Sequence, residues 1–544
     1  MTHGSDRNDE GQESGSDTSE PCRPLREILV TAMLLAPVLA AIWVVPWFVT
    51  QDGLTHLYNA WIIAASTAGD SAFSPYYEVH WRPLPNWAGH LALIGLLRVV
   101  SPWAADRIVM SASLLGIAVA TVWLRARVVG GRGSFAACAL SALLALSFSW
   151  LMGFSSFQLG ACLFPITLGV WWKGRDGLRA GRMAGVSALL ILGYFGHLVS
   201  LGLTVCAMMF LAIVLPGGSR WARLWRTGVS LAPLGGLGVV YLKLSRQGGP
   251  MHPKFPAPGE FLSISGWVRR LGWVDPISVA IKVGLPFTDH VGPLYAVFSP
   301  AVWLALAGLL GLATAWRGTR ERRAWQALGA ILVMGGVFGP DSLGPGHGDY
   351  LPQRLALLGL VALVPTFDRA AKSWTQRAAA GAIVVALVLQ TVVVWDYALD
   401  SQRKVAQMVA IGPSVGRGQR VATLISDLKT RFRPNAALHA DSWLGISEGA
   451  VLWSNYETRY YYFPVQFRPE LARPDSFELE QIALRGGSDE AEERWARVLE
   501  TYRDAIDRVI VWRDDPGLDA ITERWYELVV RRGDARVYRR REGR

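Results

Sequence analysis

Long apolar blocks alternate with short basic loops over the first 395 residues, and then the blocks stop. The first block, 28–49, carries no charged residue and is long enough to cross a bilayer as a helix. Directly after it comes Gln51-Asp52-Gly53-Leu54-Thr55-His56-Leu57-Tyr58-Asn59. Past Gly53 the apolar positions are Leu54, Leu57, Tyr58, Trp61, Ile62 and Ala65, which is helical spacing. Thr55, His56 and Asn59 fall on the other face. The pattern predicts a helix lying on the outer membrane surface, with Asp52 at its start and His56 one turn on.

Loop charge orients the remaining blocks. Arg23 and Arg26 hold the N-terminus in the cytoplasm, so the first span runs outward. The next apolar piece, 87–100, is too short to cross and reads as a juxtamembrane or re-entrant helix in a long exterior loop, 51–103. With that reading Arg125, Arg127 and Arg132 become cytoplasmic, and every later basic loop falls into register. Further spans are expected at 108–124, 135–152, 159–172, 183–195, 199–215, 228–242, 294–316, 325–338, 355–365 and 378–395, about eleven in all. An exterior loop, 243–293, contains the Pro- and Gly-rich stretch 247–256, which is expected to cover a catalytic cavity.

The fold class is therefore a polytopic α-helical membrane protein, 27–396, with a small exterior α/β domain at 397–544 and a disordered cytoplasmic tail at 1–26. In the C-terminal part, 421–432 and 490–506 read as helices and 436–439 and 509–512 as short buried strands. Residues 526–531 and 536–539 read as a hairpin around Gly533-Asp534. The aromatic cluster 453–467 reads chiefly as core packing, with a surface docked on membrane or substrate as the alternative.

Composition narrows the function classes. The net charge of +11 gives no reason to expect nucleic acid, because the arginines sit in short loops between apolar runs. Of four cysteines, Cys138, Cys162 and Cys206 lie inside apolar runs and Cys22 in the tail, so no disulfide framework is implied.

The chemistry-bearing residues gather on the outer face: Asp52, His56, Glu78, His80, His197, Asp275, Asp289, His290, Asp341, His347, Asp349 and Arg354. No acidic residue stands in the middle of an expected span, which fits a proton-coupled transporter poorly. Asp52 has two compatible readings, an N-cap for the surface helix and a carboxylate placed for catalysis at the membrane boundary. Arg354, at the outer end of an inward span, either snorkels to the head groups or meets a lipid phosphate. Arg82, Lys254, Arg269 and Arg270 are weaker candidates. Glu78, His80, His347 and Asp349 are residue types that could contact donor or acceptor. With His56 they could also hold a divalent cation, Mg or Mn, although their spacing does not require one.

A first span followed at once by Gln51-Asp52-Gly53, juxtamembrane helices in the first outer loop, many further spans and an exterior C-terminal domain resemble the GT-C superfamily. These are integral membrane glycosyltransferases that use polyprenyl-phosphate-linked sugars. Many members carry two acidic residues together in this loop, whereas here Gly53 follows Asp52 and the next acids are Asp70 and Glu78. The resemblance implies direct, inverting transfer. Asp52 would be general base, His56 would orient it, share its proton or contact the acceptor, and Arg354 and Arg82 would bind lipid phosphate. The donor would be a polyprenyl-phosphate sugar, and the acceptor a lipid, glycan or protein of the envelope. The place would be the exterior face of a bacterial-type inner membrane. Rival readings are a flippase for lipid-linked sugars and a non-enzymatic scaffold with an exterior binding domain.

Overall fold

The computed structural model describes residues 23–69, 72–130, 133–177, 179–246, 251–277, 299–315, 319–344, 348–367, 373–426, 432–513 and 515–542. Helix α1 (Arg23–Val44) has 22 residues. That is roughly 33 Å at 1.5 Å per residue, enough for a hydrocarbon core of about 30 Å. Pro46 follows its end, and the chain leads in turn and extended structure to α2 (Gly53–Thr67). Next come β1 (Tyr77–Val79) and α3 (Trp87–Leu97). With 11 residues, α3 is too short to cross a bilayer alone. It is a separate element from α4 (Pro102–Val129), whose start is fixed by Pro102 and by Ser101 accepting from the Ala104 amide.

The apolar run 135–152 is not one helix. It divides into α5 (Phe135–Ala145) and α6 (Phe148–Leu151). Helices α7 (Ser155–Trp172), α8 (Ala180–Gly196) and α9 (Leu198–Val214) follow, with His197 the single residue between the last two. The span expected at 228–242 is also broken. Helix α10 (Arg220–Leu231) and α11 (Leu234–Ser245) meet at Pro233 with a bend of 56°. The helical part closes with α12 (Pro258–Leu262), α13 (Ile264–Val274), α14 (Pro300–Ala315), α15 (Arg320–Phe338), α16 (Leu351–Leu363) and α17 (Trp374–Val415).

Among the described residues, three helices are long and apolar enough to cross a membrane, 24–44, 102–129 and 374–415, or four if the bent pair is one span. The other apolar helices are shorter. The chain is a membrane protein. Helix α17 has 42 residues, roughly 63 Å and twice the hydrocarbon thickness. Its second half therefore continues beyond a bilayer, and there Val405, Met408 and Ile411 are buried.

The C-terminal part contains β2 (Arg420–Ile425), α18 (Ser442–Ser447), β3 (Val451–Leu452), β4 (Val465–Phe467), α19 (Ser476–Leu484), α20 (Asp489–Tyr502), β5 (Arg508–Trp512), α21 (Pro516–Thr522), β6 (Tyr526–Arg532) and β7 (Ala535–Arg540). Five strands form one sheet in the order β3-β2-β5-β7-β6. The first three are parallel, and β7 and β6 are added as an antiparallel hairpin. Two expectations fail here. Residues 421–425 form a strand, not the start of a helix, and 436–439 form turns, not a strand. Val421, Ala422, Leu424 and Ile425 are all buried because β2 is covered on both faces. Such a strand reads as an unbroken apolar run with no period of two.

Helix α2 does not present its polar face to solvent. Its polar face is covered by the C-terminal part, and Gly53 to Ala60 are buried throughout. Thr55 Oγ1 lies 3.1 Å from Ser442 Oγ, and Asn59 and Asn455 exchange amide hydrogen bonds at 3.1 and 3.0 Å. Strand β1 pairs antiparallel with β4, Tyr77 opposite Phe467 and Val79 opposite Val465. A polar helix face and a strand of the first loop are thus completed from nearly 400 residues away.

Gly445 marks the closest approach. A Cβ there would lie 2.2 Å from Tyr58 Cε2. The ring cannot move aside, since the Tyr58 hydroxyl donates to Ala450 O at 2.7 Å and meets the Tyr77 hydroxyl at 3.1 Å. Gly445→Ala is expected to destabilise the protein by about 1–3 kcal/mol, the range for overpacking. A thermal melt in detergent checks it, and an unchanged melting temperature would show that this contact is soft.

Candidate active site

The backbone of Gln51 and Asp52 is pinned first. Their amides donate to Leu151 O at 3.1 Å and Met152 O at 3.0 Å. The facing turn needs Gly153, which has φ +81° and whose Cβ would stand 2.8 Å from the Gly53 nitrogen. Asp52 occupies the N-cap position of α2, but its carboxylate accepts no helix amide. The reading of Asp52 as a side-chain cap is therefore not what the structure holds. The carboxylate accepts from Gln51 Nε2 at 3.3 Å, bonds the Tyr456 hydroxyl, and lies 3.6 Å from His439 Nε2.

Burial is the main influence on Asp52 and raises its pKa to about 6, opposed by His56 and by the bonds from Gln51 and Tyr456. Burial, then His56, pushes His439 down to about 3, so the neighbour of the carboxylate is a neutral imidazole. Its ring stacks on Tyr456 at 4.7 Å between centroids.

Behind Asp52, Glu457 is wholly buried and bridges two imidazoles. Its Oε1 meets His56 Nδ1 and its Oε2 meets His90 Nε2 at 2.9 Å. Burial works against its charge, but His56 and His90 more than offset that and hold it down to about 2. Burial likewise opposes charge on His56, and Glu457 outweighs it, raising the His56 pKa.

Asp52 and His56 form part of the wall of a cavity of about 1030 Å³. Tyr350, Arg354, Asp349 and His197 line the same cavity. Arg354 is buried at 7% exposure, so it does not snorkel to an outer surface. Its guanidinium stands 5.3 Å from the Phe154 ring and 5.1 Å from the Phe157 ring, and its Nε has no hydrogen-bond partner among the described residues. The chain segment 456–463 supplies Tyr456, Tyr460, Tyr461, Tyr462 and Phe463 to the cavity. The cluster 453–467 is thus divided: Trp453, Val465 and Phe467 are core, and the tyrosines between them are wall.

Met251 and Lys254, from the loop expected to cover the cavity, do line it. That loop is tied down where Lys254 N donates to Ser342 O at 2.9 Å and Asp341 N to Lys254 O at 2.8 Å. Arg270 lines the cavity but is paired with Asp341. Cleavage between 251 and 256 is expected to lower activity, since it frees a segment of the wall. Limited proteolysis followed by assay checks this, and full activity of the nicked protein would remove the loop from the site.

The other candidates fall elsewhere. Glu78 and His80 pair with each other at 2.6 Å on and beside β1, and neither they nor Arg82 line the cavity. His347, Asp289 and His290 lie outside the described residues. Among the described residues, the acids and histidines that converge are His56, His90 and Glu457, with ligand atoms within 4.8 Å of one another. Two nitrogens and one oxygen suit a borderline transition-metal dication better than Mg or Ca, which take oxygens. Glu457, His90, His439 and Tyr456 had no signal in the sequence beyond the aromatic run that contains two of them.

No protein-family model and no curated protein sequence matches the chain. Solved structures do. The cryo-EM structure of arabinofuranosyltransferase AftD from Mycobacteria superposes on 95% of this chain with a TM-score of 0.50 at 14% identity. A mutant form of the same enzyme covers 96% with a TM-score of 0.49 at 15% identity. The chain shares the fold of that part of the AftD structure. It spans 40% of the length of the AftD chain it matches. In this fold the carboxylate that follows the first helix and the Arg354 guanidinium line one cavity.

Proposed function

We propose that the chain is a membrane glycosyltransferase that moves a sugar from a polyprenyl-phosphate donor to an envelope acceptor, with Asp52 as general base. One observation carries this reading. Asp52 sits where a helix would use its carboxylate as a cap, and instead the carboxylate faces a cavity of about 1030 Å³ with its pKa raised to about 6. A base with a pKa near the working pH is both ionised and strong enough to take a proton.

In the proposed step the acceptor O–H gives its proton to Asp52, and the acceptor oxygen attacks the anomeric carbon. The bond from that carbon to the phosphate oxygen breaks, and the oxygen leaves with the electron pair. A single displacement inverts the anomeric centre. Arg354 meets the phosphate, whose charge grows as it leaves. Gln51 and Tyr456 hold the Asp52 carboxylate in place, and Glu457 holds His56 beside it. The aromatic run 456–463 and the tethered loop at 251–256 complete the wall.

The same reading places the protein in a bacterial-type inner membrane, with about eleven crossings. The N-terminal tail is cytoplasmic, and the C-terminal domain, 397–544, is on the exterior side. The test is transfer of radiolabelled sugar from polyprenyl-phosphate donors to an envelope extract by the purified chain in liposomes. Label that stays on every donor, with a competent extract, would sink the proposal.

A further inference from the structure

The carboxylate of Glu457 has no lysine or arginine partner among the described residues; its two oxygens meet only His56 and His90. All three side chains are buried, at 0%, 7% and 1% exposure. They come from three separate pieces of chain: His56 from α2, His90 from α3, and Glu457 from the turn Tyr456–Arg459. A buried carboxylate needs a compensating charge. Two imidazolium protons supply it at the cost of desolvating three ions. One dication ligated by two neutral imidazoles supplies the same charge through coordination bonds.

We infer that His56, His90 and Glu457 form a binding site for a borderline first-row transition-metal dication, Zn²⁺ or Fe²⁺. The ligand atoms already lie within 4.8 Å of one another. The donors are His56 Nδ1, His90 Nε2 and a Glu457 oxygen, the set that borderline ions prefer over Mg²⁺ or Ca²⁺. The ion ties the C-terminal part to α2 and α3 at one point. It thereby fixes Tyr456, the neighbour of Glu457, against the cavity and Asp52. Of the three ligands only His56 also lines the cavity, so the ion sits behind the wall. Three protein ligands leave its remaining positions to water.

The experiment is metal content per chain, on protein purified with a histidine-free tag after growth with added Zn²⁺ and Fe²⁺. The wild type is expected to hold about one equivalent of one of these ions, as a buried three-ligand site does. Glu457→Gln and His90→Gln are expected to drop it at least about tenfold, the scale of losing a ligand. Asp52→Asn, outside the ligand set, keeps the full equivalent. Wild-type protein no richer in metal than the two ligand variants overturns the site. If those variants do not fold, Co²⁺ loading of the wild type decides. Visible d–d absorption that saturates at one equivalent, and is lost with a fall in melting temperature on chelation, supports the site. No such absorption at stoichiometric Co²⁺ overturns it. Neither readout uses a donor or an acceptor, so failure here and failure of the transferase reading are separable.

Discussion

Asp52→Asn lowers the rate of sugar transfer by at least about a hundredfold, the low end of what a positioned base contributes. The protein stays folded. The carboxylate caps no helix amide, so α2 loses nothing at its start. Asn keeps the shape and still accepts from Gln51 and Tyr456, but it cannot take the acceptor's proton. The pH dependence gives a second, independent readout. With a pKa of about 6, Asp52 is roughly nine-tenths ionised at pH 7 and roughly one-tenth at pH 5. The wild-type kcat/KM is expected to fall about tenfold per pH unit below about 6. The residual activity of the Asn variant loses that limb. The measurement is kcat/KM from pH 5 to 8 for both proteins, with melting temperatures alongside. Equal rates in two well-folded proteins would move the base elsewhere, with Asp349 on the same cavity as the next carboxylate to test.

What the sequence made legible follows from how local each signal was. The hairpin between β6 and β7 depends on a few adjacent residues around Gly533-Asp534. The position of Asp52 relative to α1 and α2 is equally local. Helix α2 shows where that kind of reading stops. Its apolar face was readable, but the fate of Thr55, His56 and Asn59 was set by Ser442, Glu457 and Asn455, which a membrane-surface reading cannot include. Strand β2 reads as a helix in the sequence because burial on both faces erases the alternation that marks a strand. The spans at 135–152 and 228–242 broke at points where apolarity continues, since hydropathy counts side chains and does not see backbone bends. The site follows the same division. Asp52 and Arg354 were visible as charges at helix ends. Glu457 and His90, 367 residues apart, acquire meaning only when the chain brings α3 to the turn at Tyr456–Arg459. His439 comes to Asp52 in the same way.

Arg354→Gln lowers kcat by about a hundredfold to a thousandfold, the cost of removing one stabilising donor from a developing anion. A sugar phosphodiester carries one negative charge, and the lipid monophosphate that leaves carries a second as the glycosidic bond breaks. An arginine against that phosphate interacts more strongly with the transition state than with the bound donor. The loss therefore falls mainly on kcat, and the KM for the donor rises less. The surroundings fit this role. The guanidinium is buried, with its Nε unpartnered among the described residues and its flanks against Phe154 and Phe157, so water competes little for it. Arg354→Lys keeps the charge but loses the planar fork that matches a phosphate, and its kcat is expected to fall between the other two. Stability points the other way from activity. Replacing a buried cation that has few partners with a neutral amide removes a desolvation cost, so the melting temperature of Arg354→Gln is expected to hold or rise. Steady-state kcat and donor KM for the three proteins, with their melts, decide between this role and a structural one. An arginine that only packs between two phenylalanines would give lower melting temperatures and an unchanged kcat.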